Sequence, residues 1–179
     1  MGGIEPHPFS WLLWGLATLV VFLVQRSKGA EAGSWVTLLT ATACFIICGL
    51  TLRINGWEFS VFDLACLALG VTVLGLYLVV VLHLLRPFPF LPQGGTSVAV
   101  FATAADLFGY GPTIKKGWAR PDKDSALSFF LNGVKFLVAL PALMPCSVTT
   151  CVYPVTIAIM NFGIVMLLLG RSKRINAQG

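Results

Sequence analysis

The stretch "DLFGYGPTIKKGWARPDKDSALSFF" runs from Asp106 to Phe130. An apolar run ends in Gly-Tyr-Gly-Pro, passes into a dense cluster of charge, and returns to apolar sequence. Its reading decides the fold, because the chain around it is 57% hydrophobic and only 11% charged, with mean hydropathy +0.87. A soluble domain averages roughly a quarter charged residues. The composition therefore predicts an all-α integral membrane protein, and makes the charged cluster a loop between two spans. The net charge of +5 lies mostly at the ends of apolar runs, where it sets topology; nucleic acid is not an expected partner. The first apolar run starts at Phe9 with no basic residue before it and no clean small-residue cleavage site after it, so it reads as a span and not as a signal peptide.

Working outward, the pattern predicts about six transmembrane helices, over 9–24, 34–52, 59–85, 96–113, 125–143 and 148–170. Several are near the lower limit of the roughly 20 residues that cross a bilayer. The segment "RPFPFLPQGGT" has three prolines and two glycines, too broken for a span. The chain thus divides into a first three-helix unit (1–86), a Pro/Gly linker (87–95) and a second three-helix unit (96–179). Ser34 and Ser125 read as helix N-caps in corresponding places. Two related units of three spans each would form an inverted-topology repeat, a design that places binding sites at the repeat interface near the bilayer midplane.

Six spans put both termini on one side. That side receives eight Lys/Arg residues (Arg53, Lys115, Lys116, Arg120, Lys123, Arg171, Lys173, Arg174) against three (Arg26, Lys28, Arg86) on the other. The bias predicts cytoplasmic termini and an outside location for the loop "CSVTTC". Lys115, Lys116 and Arg120 then anchor the loop at the headgroups.

The stretch "YGPTIKKGWARPDKDSALSF" resembles the PQ-loop of the SWEET, SemiSWEET and MtN3-like transporters. Pro112 and Thr113 match the Pro-Gln pair, with Thr in place of Gln. Lys116 matches the following basic residue, and "DSALSF" the entry to the next helix. Together with "PHPFSWLLWGL" at 6–16, the motif is also similar to a group of uncharacterised small bacterial multi-span proteins. The resemblance implies transport of a small polar solute in the inner membrane and a hinge at the proline. It covers 106–130 well, is faint over the rest of the second unit, and barely reaches the first, whose matching exit "VFLVQRS" has no proline.

The residues point the same way. Proline removes a backbone donor inside a helix, so Gly109, Gly111, Pro112 and Thr113 are the candidate hinge, with a static kink used for packing as the alternative. Asp106, Lys135 and Asn161 each lie nine or ten residues from a predicted cytoplasmic helix end, which places all three roughly 14–15 Å deep. A mid-membrane charge costs at least about 2.5 kcal/mol and usually faces a partner or a cavity. Asp106 and Lys135 are the natural pair, Tyr110 lies one turn from Asp106, and the resemblance implies a substrate-contacting role for Asn161. Two uses stay open: a binding or proton site, or a structural ion pair. Lys135 can also snorkel to the interface.

The first unit offers little at that depth beyond Thr18, Thr42 and Thr72, and Trp11, Trp14, Trp35 and Trp57 read as interfacial anchors. Cys44, Cys48 and Cys66 read as small packing residues, while Cys146 and Cys151 suit a disulfide if their loop faces an oxidising compartment. His7 and His83 have no ligand-spaced partner. With no catalytic constellation, metal cluster or phosphate loop, the expectation is a non-enzyme without cofactor or metal. Its partners are the lipid bilayer and a small polar solute, with a homo-oligomer or larger complex left open. The poverty of the first unit favours the alternative reading, a non-transporting accessory or structural subunit.

Overall fold

The computed structural model describes residues 4–27, 31–55, 59–81, 95–142 and 148–177. Among the described residues the secondary structure is helical, with no strand: α1 (Pro8–Ser27), α2 (Glu31–Asn55), α3 (Val61–Val81), α4 (Gly95–Ala119), α5 (Ala126–Ala139) and α6 (Val148–Asn176), with short 3₁₀ turns at Pro121–Lys123 and Leu140–Ala142. His83, Trp57, Cys146 and residues 87–94 of the predicted linker lie outside the described residues, and Gly95 already belongs to α4.

Local chemistry starts these helices. Pro8 opens α1, where its missing N–H costs nothing. Ser60 and Asp63 form a reciprocal cap on α3: the Ser60 amide donates to Asp63 Oδ2 at 2.9 Å, and the Asp63 amide donates to Ser60 Oγ at 3.2 Å. Ser125 caps α5 as expected, its hydroxyl accepting from the Ser128 amide. Ser34 does not cap α2. The helix begins at Glu31, which leaves Ser34 buried within it.

Several ends differ from the sequence reading. α4 continues through Pro112 to Ala119, and α6 continues past Gly170 to Asn176. Lys115, Lys116, Arg171, Lys173 and Arg174 are therefore helical. Basic side chains favour the negative end of a helix, and their long stems let the apolar run continue below a charged head.

α4 stands at the centre and packs against α1, α3 and α6; α1 also packs against α2, and α6 lies between α4 and α5. The surface is apolar, with Leu39, Ile54, Val61, Leu127, Val138, Ile159 and Met166 all more than half exposed. The interior holds Ser10, Thr18, Asp63, Asp106, Thr113 and Asn161 among the buried groups. Soluble proteins rarely expose so many large apolar side chains. Three helices have stretches long and apolar enough to cross a bilayer, Ser34–Ile54, Val61–Leu78 and Cys151–Ile175; the apolar helices Pro8–Leu23 and Ala126–Ala139 are shorter. The described residues thus form an all-helical, strand-free fold with an apolar surface and three helices able to cross a bilayer.

Candidate functional site

A cavity of about 540 Å³ opens between α1 and α2 on one side and α4, α5 and α6 on the other. Asp106 and Tyr110 reach it from α4, Asn132 and Lys135 from α5, and Tyr153 from α6. α1 supplies Trp11, Trp14 and Thr18, and α2 supplies Thr40 and Cys44.

Asp106 is 3% exposed. Its Oδ2 accepts a hydrogen bond from the Tyr153 hydroxyl at 3.0 Å, and Oδ1 has no partner. The Trp14 indole N–H donates to the Asp106 backbone carbonyl at 3.2 Å. Thr18 Oγ1 lies 3.3 Å from the Tyr153 hydroxyl and donates to the Trp14 carbonyl. A second network runs nearer the charged rim. Asn132 Nδ2 donates to Asn161 Oδ1 at 3.1 Å, and Asn161 Nδ2 donates to the Tyr110 hydroxyl at 2.8 Å. Asn161 is buried behind Tyr110 and Asn132 and does not line the cavity.

The expected Asp106–Lys135 ion pair is absent. Lys135 Nζ instead donates to Thr40 Oγ1 at 3.0 Å and sits 4.6 Å from the centre of the Phe136 ring. Both ionisable side chains line the same cavity without bonding each other. The predicted common depth also shifts: Asp106 meets Tyr153, whereas Asn161 meets Tyr110, one turn closer to the rim. The cause is register. Arg171 Nε donates to the Trp118 carbonyl, so α4 and α6 align from Trp118 rather than from Lys115.

At the candidate hinge, Gly109 and Gly111 are points of close approach. A Cβ on Gly109 would fall 2.6 Å from Trp14 Nε1, and one on Gly111 would fall 2.9 Å from Cys66 Sγ. Pro112 is fully buried, and Thr113 Oγ1 donates to Ser10 Oγ at 3.0 Å. These residues seat α1 and α3 against α4.

The charged loop folds back on itself. Lys116 Nζ bonds Asp124 Oδ1 at 2.7 Å, closing the connection from α4 to α5, and also bonds the Glu5 carbonyl. Glu5 is held further: its amide donates to the Lys123 carbonyl at 2.9 Å and its carboxylate accepts from Lys123 at 2.7 Å. The Lys123 hydrogen bond holds the Glu5 carboxyl below its usual range. His7 Nε2 lies 3.5 Å from Asp63 Oδ2 and its Nδ1 is buried without a partner; burial pushes the imidazole down, against the raising effect of Asp63. Lys115 reaches the same carboxylate at 3.6 Å.

Sequence reasoning missed Tyr153, Asn132, Thr40 and Trp14. Tyr153 had a signal, since it lies two turns before Asn161 on one face of α6. Trp14 is not an interfacial anchor but a buried wall residue at 8% exposure, whereas Trp35 is 55% exposed. Thr42 and Thr72 point outward and bond their own helix carbonyls. Cys44, Cys48 and Cys66 are free and buried, and Cys151 is disulfide-bonded. Among the described residues no group of three His, Cys, Asp or Glu side chains is placed to hold a metal.

No protein-family model, curated protein or solved structure matches this chain.

Proposed function

We propose that this is a small bacterial inner-membrane protein, related to the PQ-loop transporters, that binds and moves a small polar solute. In this reading all six helices span the membrane as two three-helix units, with both termini in the cytoplasm. The cavity holding Asp106, Lys135 and Tyr110 is the solute site, and Asn161 fixes its Tyr110 wall. The Gly109–Thr113 segment acts as the hinge. The observation that carries the reading is a buried acid and a base that share a cavity wall without bonding each other. A structural ion pair would bring them into contact, because an unmatched buried charge is strongly destabilising. The cavity lies within the roughly 300–1,000 Å³ common for small-molecule sites. Thr40, together with Thr18, gives the first unit a polar share of the lining that the sequence reading found sparse.

Uptake into proteoliposomes tests it. Vesicles carrying the parent or the Asp106→Asn or Lys135→Met variant are incubated with a mixture of amino acids, sugars and polyols, and the contents are measured by mass spectrometry. The parent should take up at least one solute that neither variant takes up. Uptake equal to that of protein-free vesicles across the mixture would refute transport.

A further inference from the structure

The cavity wall carries one carboxyl and one amine, set apart, in surroundings that are otherwise mostly apolar. We infer that its ligand is a zwitterion with an apolar body, such as an apolar α-amino acid, held with its ammonium group at Asp106 and its carboxylate at Lys135. This inference rests on the solute-site reading above and adds the class of solute.

Asp106 presents one oxygen already bonded to Tyr153 and a second, Oδ1, that is buried and without a partner. The carboxyl group is thus fixed in orientation with one acceptor unused, and a bound ammonium would favour its ionised form. Lys135 uses one N–H on Thr40, and an ammonium has three to give. Its remaining donors suit an anionic group. A monocation would match Asp106 and leave Lys135 unmatched, and an anion would do the reverse. Only a molecule with both charges answers both in a site where unmatched charge is costly. The lining also includes Trp14, Phe129, Phe136 and Ile157, which offer an apolar body area to bury but give a sugar few hydrogen bonds. A saccharide site needs donors and acceptors along its length, because buried hydroxyls left unbonded are penalised.

The test measures binding to the detergent-purified full chain by calorimetry. The probes are L-phenylalanine and L-leucine, their amines phenethylamine and isoamylamine, their acids hydrocinnamate and isocaproate, and D-glucose. Each amino acid should bind at least about tenfold more tightly than its amine and its acid, a loss of 1.4 kcal/mol or more for each missing charge. Asp106→Asn should erase the preference over the acid, and Lys135→Met the preference over the amine. A change that merely loosens the fold would weaken all probes alike, so the exchange of preferences is the decisive readout. Circular dichroism and gel filtration confirm that each variant is folded; if one is not, the parent's ranking of the probes decides alone. Amines or acids binding as well as the amino acids would overturn the zwitterion. Glucose binding without amino-acid binding would also overturn it, while leaving the polar-solute site standing. Binding of no probe, together with no uptake from the solute mixture, would remove both readings.

Discussion

At the scale of single residues, Asp106 shows what an acid inside an apolar run can and cannot reveal. A carboxyl group deep in an apolar run stands out without coordinates, because burying it is costly. Its partner is not readable, because equal depth on neighbouring helices says nothing about which way each side chain points. Tyr153 takes the place at Asp106 that Lys135 was expected to fill. An aromatic in an apolar helix looks like core or interface until its hydroxyl is seen to bond. The absence of a direct contact has a measurable consequence. Asp106 and Lys135 share no hydrogen-bond partner, so their effects on stability should be independent. The losses in unfolding free energy for Asp106→Asn and Lys135→Met, measured in detergent, should add in the double variant to within about 0.5 kcal/mol. Recovery of stability in the double variant would mean that the two side chains pair in solution.

Among the elements, α4 decides the most, since three helices pack on it. Its centre was legible as unusual from "GYGP", but the physical use of the glycines was not. Read alone, two glycines and a proline suggest mobility; with neighbours in place, Gly109 is the notch that admits the Trp14 indole. That contact lets the indole N–H reach the Asp106 carbonyl, so the notch also sets one wall of the cavity. Gly109→Ala would put a methyl group 2.6 Å from Trp14 Nε1, and the indole is already packed against Trp11, Tyr110 and Phe129. Overpacking of this kind costs about 1–3 kcal/mol. Thermal unfolding in detergent should show a loss in that range, and tryptophan fluorescence should shift as the indole is displaced. Gly163, which has nothing near its Cβ position, is the control, and Gly163→Ala should be neutral or slightly stabilising because alanine favours helix. Helix ends were less legible than helix cores for a related reason. Ser125 could be recognised because a cap is local, whereas the last turns of α4 and α6 carry lysines and arginines that look like loop until their stems are seen to continue the helix.

For the whole molecule, the sequence pointed to the six α-helices seen among the described residues but not to their neighbours. Hydropathy along a membrane helix is high on every face, so it carries little information about which face meets which partner. The central place of α4 and the position of α6 between α4 and α5 therefore had to come from the fold. For part of the predicted gathering of Lys and Arg, the structure gives a physical form. Glu5 and His7 ahead of α1, Ser60 and Asp63 at the start of α3, and Lys115 to Asp124 between α4 and α5 join in one charged rim. Arg171 near the end of α6 reaches the same level through the Trp118 carbonyl. Both ends of the described chain therefore lie at the same rim, whichever compartment it faces. Basic residues near span ends are retained on the cytoplasmic side, so the rim should face inward. Fusions to green fluorescent protein or alkaline phosphatase, placed in turn at the N-terminus and after Gly179, test this. All green fluorescent protein fusions should fluoresce and all phosphatase fusions should be inactive, because the first folds inside the cell and the second only outside it. Active phosphatase at both ends would invert the protein and overturn the orientation alone, leaving the shared rim intact. Opposite results at the two ends would contradict the rim itself, since Glu5 could not then reach Lys123 across the bilayer.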